Sequence, residues 1–253
     1  MGLELTFKEI IERRRLFSAG DRLLLAVSGG LDSVVLCELC KRAGFSFLIA
    51  HCNFQLRGEE SERDEDFVRK LAADYNVDFE LRRFQTEQFA TNNKLSVQVA
   101  ARELRYSWFK ELIKEKKADW ILTAHHADDN IETVLMNFFK GTGISGLRGI
   151  PEKNDRIVRP LLGFRKSDLL SFAKTVPLQW VEDSSNASDK YNRNYFRNQL
   201  IPLISQLYPK AEENILSNIH RLGEVEMIYQ QAIEQYKKSL IEARGSEYFI
   251  PRG

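Results

Sequence analysis

No apolar run in this sequence approaches membrane-spanning length, and the opening Met1-Gly2-Leu3-Glu4 lacks the basic flank and apolar core of a secretory signal. Neither a helical membrane protein nor a secreted one is expected. Cysteine is scarce: three in 253 residues, an odd number without framework spacing, which argues against a disulfide scaffold and for a reducing cytoplasm. An excess of one charge sign is missing as well. With 37 basic against 36 acidic residues the net charge is +1, so any nucleic-acid surface has to be local. Internal repeats and low-complexity tracts are absent. What is present is 43% hydrophobic residues, enough for one sizeable core with an appendage.

The chain is organised around Ser28-Gly29-Gly30-Leu31-Asp32-Ser33, which follows the apolar run Leu23-Leu24-Leu25-Ala26-Val27 and leads into Val34-Val35-Leu36. Strand, glycine- and hydroxyl-rich turn, then helix is a layout that holds phosphate. Backbone N–H groups at the helix start point at the anion, and glycine lets the backbone come close. Two hydroxyls, two glycines and an Asp within six residues favour phosphate binding over an ordinary capped turn. The lysine of a Walker A loop is absent, so this is not the usual P-loop.

Periodicity predicts a short helix carrying Phe7, Ile10 and Ile11 behind a Thr6–Glu9 capping box, then the first strand and a helix over 33–41 that Gly44 stops. A second strand over 45–50 ends at His51-Cys52-Asn53. A charged helix lies between Gly58 and Tyr75, a third strand spans 79–84, and a helix covers 96–116. A fourth strand over 120–124 runs into His125-His126, a helix follows over 129–139, and an edge strand spans 157–162. This alternation predicts an α/β fold with a doubly wound, mainly parallel five-stranded sheet. Ligands bind at the carboxyl ends of such strands, where His51, His125 and the glycine turn all fall, so one shared pocket is expected. GTGISG (141–146) follows a helix rather than a strand, which argues against a dinucleotide site. Helices over 164–174, 194–207 and 215–243 complete the chain. A boundary near Asn186 divides a catalytic domain, 1–186, from a small carboxyl-terminal helical appendage, 187–253.

His125-His126-Ala127-Asp128-Asp129-Asn130-Ile131-Glu132-Thr133 concentrates polar groups where a strand hands over to a helix, with Asp129 and Glu132 on one helical face. Capping alone requires fewer acids and no histidines. A zinc reading lacks an HExxH pattern or matched cysteines. Cys37 and Cys40 form a CxxC inside a helix and read as packing. Arg102 and Arg105 stand one turn apart in AARELRY. Residues 191–198 interleave Arg193, Asn194 and Arg197 with aromatics, the composition of a surface that contacts phosphates and stacks on unpaired bases, a solvated helix face being the alternative.

Together these pieces resemble the tRNA(Ile)-lysidine synthetases of the N-type ATP pyrophosphatase superfamily. SGGLDS is similar to the superfamily's PP-loop. The narrower resemblance rests on HCNFQLRGEES (51–61), AARELRY (100–106), HHADDNIET (125–133), GTGISGLRGI (141–150), RPLL (159–162), WVEDSSN (180–186) and NRNYFRNQLIP (192–202), in the family's order. It implies a PP-loop, Rossmann-like ATPase fold and a two-step reaction: ATP adenylates C2–O of the wobble cytidine of the CAU-anticodon isoleucine tRNA, and the ε-amine of free lysine displaces AMP to give lysidine. Under it Ser28, Gly29, Gly30, Leu31, Asp32 and Ser33 hold ATP, and Asp32 supports Mg²⁺. Asp129 and Glu132 bind and activate lysine, and Arg105 or Arg102, with His125, stabilises charge at the α-phosphate. Arg102, Arg193, Asn194 and Arg197 contact tRNA. The resemblance also implies a cytoplasmic enzyme, with a homodimer as one assembly. Longer family members carry further carboxyl-terminal domains, so a short form or a truncation with intact ATP chemistry and altered tRNA binding is expected. The rivals are a PP-loop tRNA thiolation enzyme, which needs reactive cysteines, and a non-catalytic nucleotide- or RNA-binding module.

Overall fold

The computed structural model describes residues 2–182, 192–240, 242–244 and 247–249. The end of the WVEDSSN motif, the boundary expected at Asn186, and Tyr191 lie outside the described residues. In chain order the elements are α1 (Leu3–Arg14), β1 (Arg22–Ala26), α2 (Leu31–Ala43), β2 (Ser46–Asn53), α3 (Glu59–Tyr75), β3 (Phe79–Arg83), α4 (Thr86–Asn92), α5 (Val97–Lys116) and β4 (Trp120–Leu122). There follow α6 (Ala127–Lys140), α7 (Ile144–Leu147), β5 (Lys153–Asn154), β6 (Ile157–Val158), α8 (Lys166–Thr175), α9 (Asn192–Tyr195), a π-helical turn (Phe196–Leu200), α10 (Ile201–Leu207), α11 (Ala211–Leu240), β7 (Glu242–Arg244) and β8 (Glu247–Phe249).

The chain divides into two compact units, Met1–Asp128 with Pro151–Asn186, and Asp129–Ile150 with Ala187–Gly253. Residues 129–150, which the sequence reading kept with the first domain, group with the carboxyl-terminal helices. The cause is side-chain pairing: Glu132 with Arg193 and Arg197, Phe139 with Phe196, and Arg148 with Glu226.

In the first unit the sheet order is β3-β2-β1-β4-β6-β5. The five parallel strands correspond to those expected, and the short β5, antiparallel to β6, is an addition at the edge. After Arg22, strand β1 is apolar because both faces of the sheet are covered. Leu23 and Leu25 pack with Phe7, Ile11, Leu39, Val68 and Leu169, on the side of α1, α2, α3 and α8. Leu24 points the other way, with Leu48 and Ile121, onto Trp108, Phe109 and Leu112 of α5. Each buried leucine contributes roughly 1.5–3 kcal/mol, so this central strand anchors everything attached to its carboxyl end. Helix α1 begins at Leu3, one turn before the Thr6–Glu9 pattern, so that pattern lies inside the helix instead of capping it. Ser96 does cap α5, accepting from the Val99 amide, and Gly44 ends α2 at φ 79°. Helix α4 had no periodic signal of its own. No described helix is long and apolar enough to cross a membrane.

The second unit is helical around α11. Midway along that helix Glu226 is 4% exposed, and its Oε2 lies 2.5 Å from Nε of Arg148, just past α7. A buried carboxylate needs such a partner, since an uncompensated charge there is expensive. Arg148→Ala is expected to lower the stability of the chain by about 2 kcal/mol, and Arg148→Ala/Glu226→Leu to recover much of the loss. Chemical denaturation of the two variants checks this; no recovery in the double variant would show that the pair is not what Arg148 supplies.

Candidate active site

Strand β1 delivers the chain into the glycine turn at the carboxyl edge of the sheet. Gly29 adopts φ +94°, and a Cβ on it would stand 2.8 Å from Cγ2 of Val181 and 3.3 Å from Phe67 and Val68. The Val181 amide donates to the Gly29 carbonyl at 3.0 Å. Glycine is therefore required both by the left-handed backbone and by the close approach of a second chain segment. Gly30 opens α2 with no side-chain cap. Ser33 Oγ instead donates to the Gly30 carbonyl at 2.9 Å, and Ser28 Oγ lies 3.4 Å from Ser33 Oγ. An uncapped helix start flanked by two hydroxyls is a seat for an anion.

Asp32, in the first turn of α2, faces two cationic or ionisable groups: His126 Nε2 at 3.6 Å and Lys166 Nζ at 3.7 Å from Oδ2. His126 is buried and reaches Asp128 with its other nitrogen, 3.4 Å from Oδ2. Asp128 also accepts from Arg165 Nη2 at 2.8 Å and from the Lys166 amide at 2.8 Å. Burial pushes the Asp128 carboxyl up, but the nearby His126 and the bonds from Arg165 and the Lys166 amide outweigh it and hold the group well below the usual carboxylate range. His125, the histidine expected at the α-phosphate, shares a 2.9 Å hydrogen bond between Nδ1 and Thr123 Oγ1, and its neighbour His126 stands between the PP-loop aspartate and a second carboxylate. Adjacent histidines looked alike in the sequence; their orientation after β4 separates them.

At the end of β2, His51 bonds the Val27 carbonyl through Nδ1 at 2.8 Å, and burial pushes its pKa down. The ring is thus a neutral donor to the strand that carries the PP-loop. Asn53 donates to Glu65 at 3.0 Å, and Arg83 and Arg69 also bind that glutamate. Burial pushes the Glu65 carboxyl up, yet these partners prevail and lower it to about 2. Arg105 lies over the Phe54 ring at 5.2 Å, and Arg102 over Tyr106 at 4.9 Å.

In the second unit Asp129 and Glu132 share one face of α6, as expected, but with unequal surroundings. The Glu132 side chain is 1% exposed and accepts from Arg193 Nε at 2.7 Å and Arg197 Nε at 2.6 Å. Arg193 also donates to Thr133 Oγ1 and to the Asp129 carbonyl. The Asp129 side chain is 16% exposed, with Arg197 Nη2 at 3.5 Å from Oδ1. Residues assigned from sequence to lysine and to tRNA therefore meet one another here. Asn194 is buried beside them in the chain.

Cys37 and Cys40 are fully buried in α2, and burial pushes both thiols well up, with Cys52 raised to about 12. Such thiols are inert packing groups at neutral pH. Among the described residues no group of three His, Cys, Asp or Glu side chains is arranged to hold a metal ion.

A twisted parallel sheet with a Walker-lysine-free phosphate turn after β1 defines a PP-loop nucleotide-binding protein, and the PP-loop domain family matches residues 3–204. The chain is 40% identical over 245 residues to the tRNA(Ile)-lysidine synthase of Chlorobaculum tepidum, covering 95% of this chain and 73% of that protein. It is 42% identical over 235 residues to the tRNA(Ile)-lysidine synthase of Bacteroides thetaiotaomicron, covering 93% and 55%. The chain belongs to the tRNA(Ile)-lysidine synthase family within the PP-loop proteins. It spans about half the length of several curated relatives that it matches. In fold it is similar to the U34-tRNA thiolase of Methanococcus maripaludis, with TM-score 0.70 at 16% identity over 88% of this chain and 80% of that one.

Gly29→Ala is expected to cost about 2 kcal/mol through backbone strain and the Val181 clash, and to abolish ATP binding; thermal unfolding and nucleotide titration check it. Normal ATP affinity would refute the turn as the phosphate seat. Glu65 gives a pH signature. Its folded pKa, about 2, lies below its ordinary 4.5, so its stabilisation is fully present above pH 4.5 and is lost as pH falls toward 2. Glu65→Gln is expected to be less stable at pH 7 and to show a shallower loss of stability across that acid window.

Proposed function

We propose that this chain catalyses lysidine formation on the wobble cytidine of the CAU-anticodon isoleucine tRNA, using ATP and free lysine. The observation that carries the reading is the 40% identity to a tRNA(Ile)-lysidine synthase across 95% of the chain, both units included. In the first step C2–O of cytidine attacks the α-phosphorus, the bond to the β-phosphate oxygen breaks, and pyrophosphate leaves. In the second the lysine ε-nitrogen attacks C2 and loses a proton, and the C2–O bond breaks to release AMP.

The SGGLDS turn suits the departing pyrophosphate: its uncapped amides and the Ser28 hydroxyl offer donors to phosphate, while Ser33 holds the Gly30 carbonyl. Asp32 offers one carboxylate, already close to His126 and Lys166. Asp32 would be the carboxylate that holds Mg²⁺, as Mg²⁺ is commonly held by one or two carboxylates plus substrate, and the ion would neutralise charge developing on the leaving group. Lys166 beside Asp32 supplies a second cation for the same charge. Arg105, steadied by Phe54, and His125 serve at the α-phosphate. Asp129, more open than Glu132, receives the lysine ammonium, while Glu132 fixes Arg193 and Arg197. The buried, protonated cysteines supply no nucleophile for thiolation.

The test supplies ATP, labelled lysine and a panel of tRNAs. Label should enter only the CAU-anticodon isoleucine tRNA, with pyrophosphate released, and no incorporation into any tRNA would end this reading. Asp32→Ala should abolish pyrophosphate release. Asp129→Ala should retain adenylation and lose lysine attachment, and loss of both steps would refute the division of labour.

A further inference from the structure

In the segment after Tyr191 the sequence interleaves cations with aromatic rings, and the second unit gives the two kinds of residue different tasks. Arg193 and Arg197 are committed to Glu132. The rings stay at the surface. Tyr195 is 53% exposed, and Phe196 meets Phe139 at the end of α6 with centroids 5.8 Å apart. Phe139 lies 5.6 Å from Phe138, the two planes at 88°. These two phenylalanines are 64% and 63% exposed. Such rings contribute little to the core, and a cluster of them left in water marks a surface that meets something else.

Charge says what that is. Residues 133–150 and 192–208, the segments that carry these rings, contain no Asp or Glu. Lys140 follows Phe139 directly and is exposed. Rings with a cation beside them and no acid in either segment suit a single-stranded nucleic acid, which stacks its bases and brings phosphates. Consecutive helical residues point about 100° apart, so Phe138 and Phe139 offer separate ring faces. An amphipathic helix docking on a protein would instead present one stripe at i, i+3 and i+4. Glu132 and Phe139 are about two turns apart on one face of α6, roughly 10 Å along its axis. The rings therefore stand beside the carboxylates of α6, not over them.

We propose that Phe138, Phe139 and Tyr195 form a stacking platform for unpaired bases of an RNA loop, taking the bases that flank the reacting one while Lys140 meets a phosphate. The inference rests on the reading that the chain modifies the wobble base of a tRNA, and it assigns the neighbouring bases to named rings.

The probe is a CAU anticodon stem-loop, titrated at several salt concentrations. Phe138→Leu/Phe139→Leu keeps apolar volume and removes both ring faces. It should weaken binding at least about fivefold with the salt slope unchanged, and a smaller loss overturns the proposal. Phe139→Trp should bind at least as tightly as the native chain. Lys140→Gln should flatten the salt dependence by about 0.7, the contribution of one phosphate on a single strand. With 2-aminopurine on either side of the wobble cytidine, fluorescence should fall on binding the native chain and fall less with the leucine variant. Equal signals from the two chains overturn the platform. Should the leucine variant fail to fold, a native chain that leaves both 2-aminopurine probes unquenched overturns it equally. Sedimentation of the native chain and of Phe138→Ala/Phe139→Ala reads the rival occupant, a second copy of the chain. Self-association lost in that variant with stem-loop affinity unchanged would make the patch a protein interface and end the proposal. Lysine incorporation enters none of these readouts. A chain that binds the loop through its rings without making lysidine defeats the proposed activity alone, and one that makes lysidine with an affinity indifferent to the rings defeats this inference alone.

Discussion

The first unit depends on one close backbone approach: Val181 donating its amide to the carbonyl of Gly29 while its side chain fills the space where a Cβ would sit. The helix start of α2 beside it has no side-chain cap, which leaves backbone donors for an anion. Strand β1, buried on both faces, gives this turn a rigid base, because shifting it would disturb both core clusters at once.

Buried charge is the second theme. In the first unit His126 stands between Asp32 and Asp128, and Arg165 and the Lys166 amide fix Asp128 in turn, so the PP-loop aspartate sits in a braced set of polar groups. Asn53 and Glu65 brace the end of β2 in the same way, with Arg69 and Arg83 supplying the cations. In the second unit Glu132 is braced by Arg193 and Arg197. Each network is worth little as net stability against an apolar alternative, since desolvation offsets much of the attraction. Their value lies in orienting polar groups that chemistry can use.

The strand–helix alternation, the PP-loop and the position of the histidine pair were legible because they follow from local period and turn chemistry. Elements without a local signal were not. Helix α4 is too short to show a period, β5 is two residues long, and α1 starts a turn before its apparent capping box. The site was legible as composition but not as pairing. Asp129 and Glu132 looked equivalent at helical spacing, yet one is buried under two arginines that looked like tRNA contacts.

By itself the sequence determined the fold class and the phosphate turn, since apolar periodicity and glycine placement act over a few residues. It also carried the family, through motifs spread along most of the chain. Tertiary structure decided which histidine faces Asp32, which of the two acids of α6 is the more deeply buried, and why Gly29 tolerates no side chain. Those outcomes depend on groups far apart in the chain, Gly29 with Val181 and Glu132 with Arg193, and no local pattern encodes the distance between them.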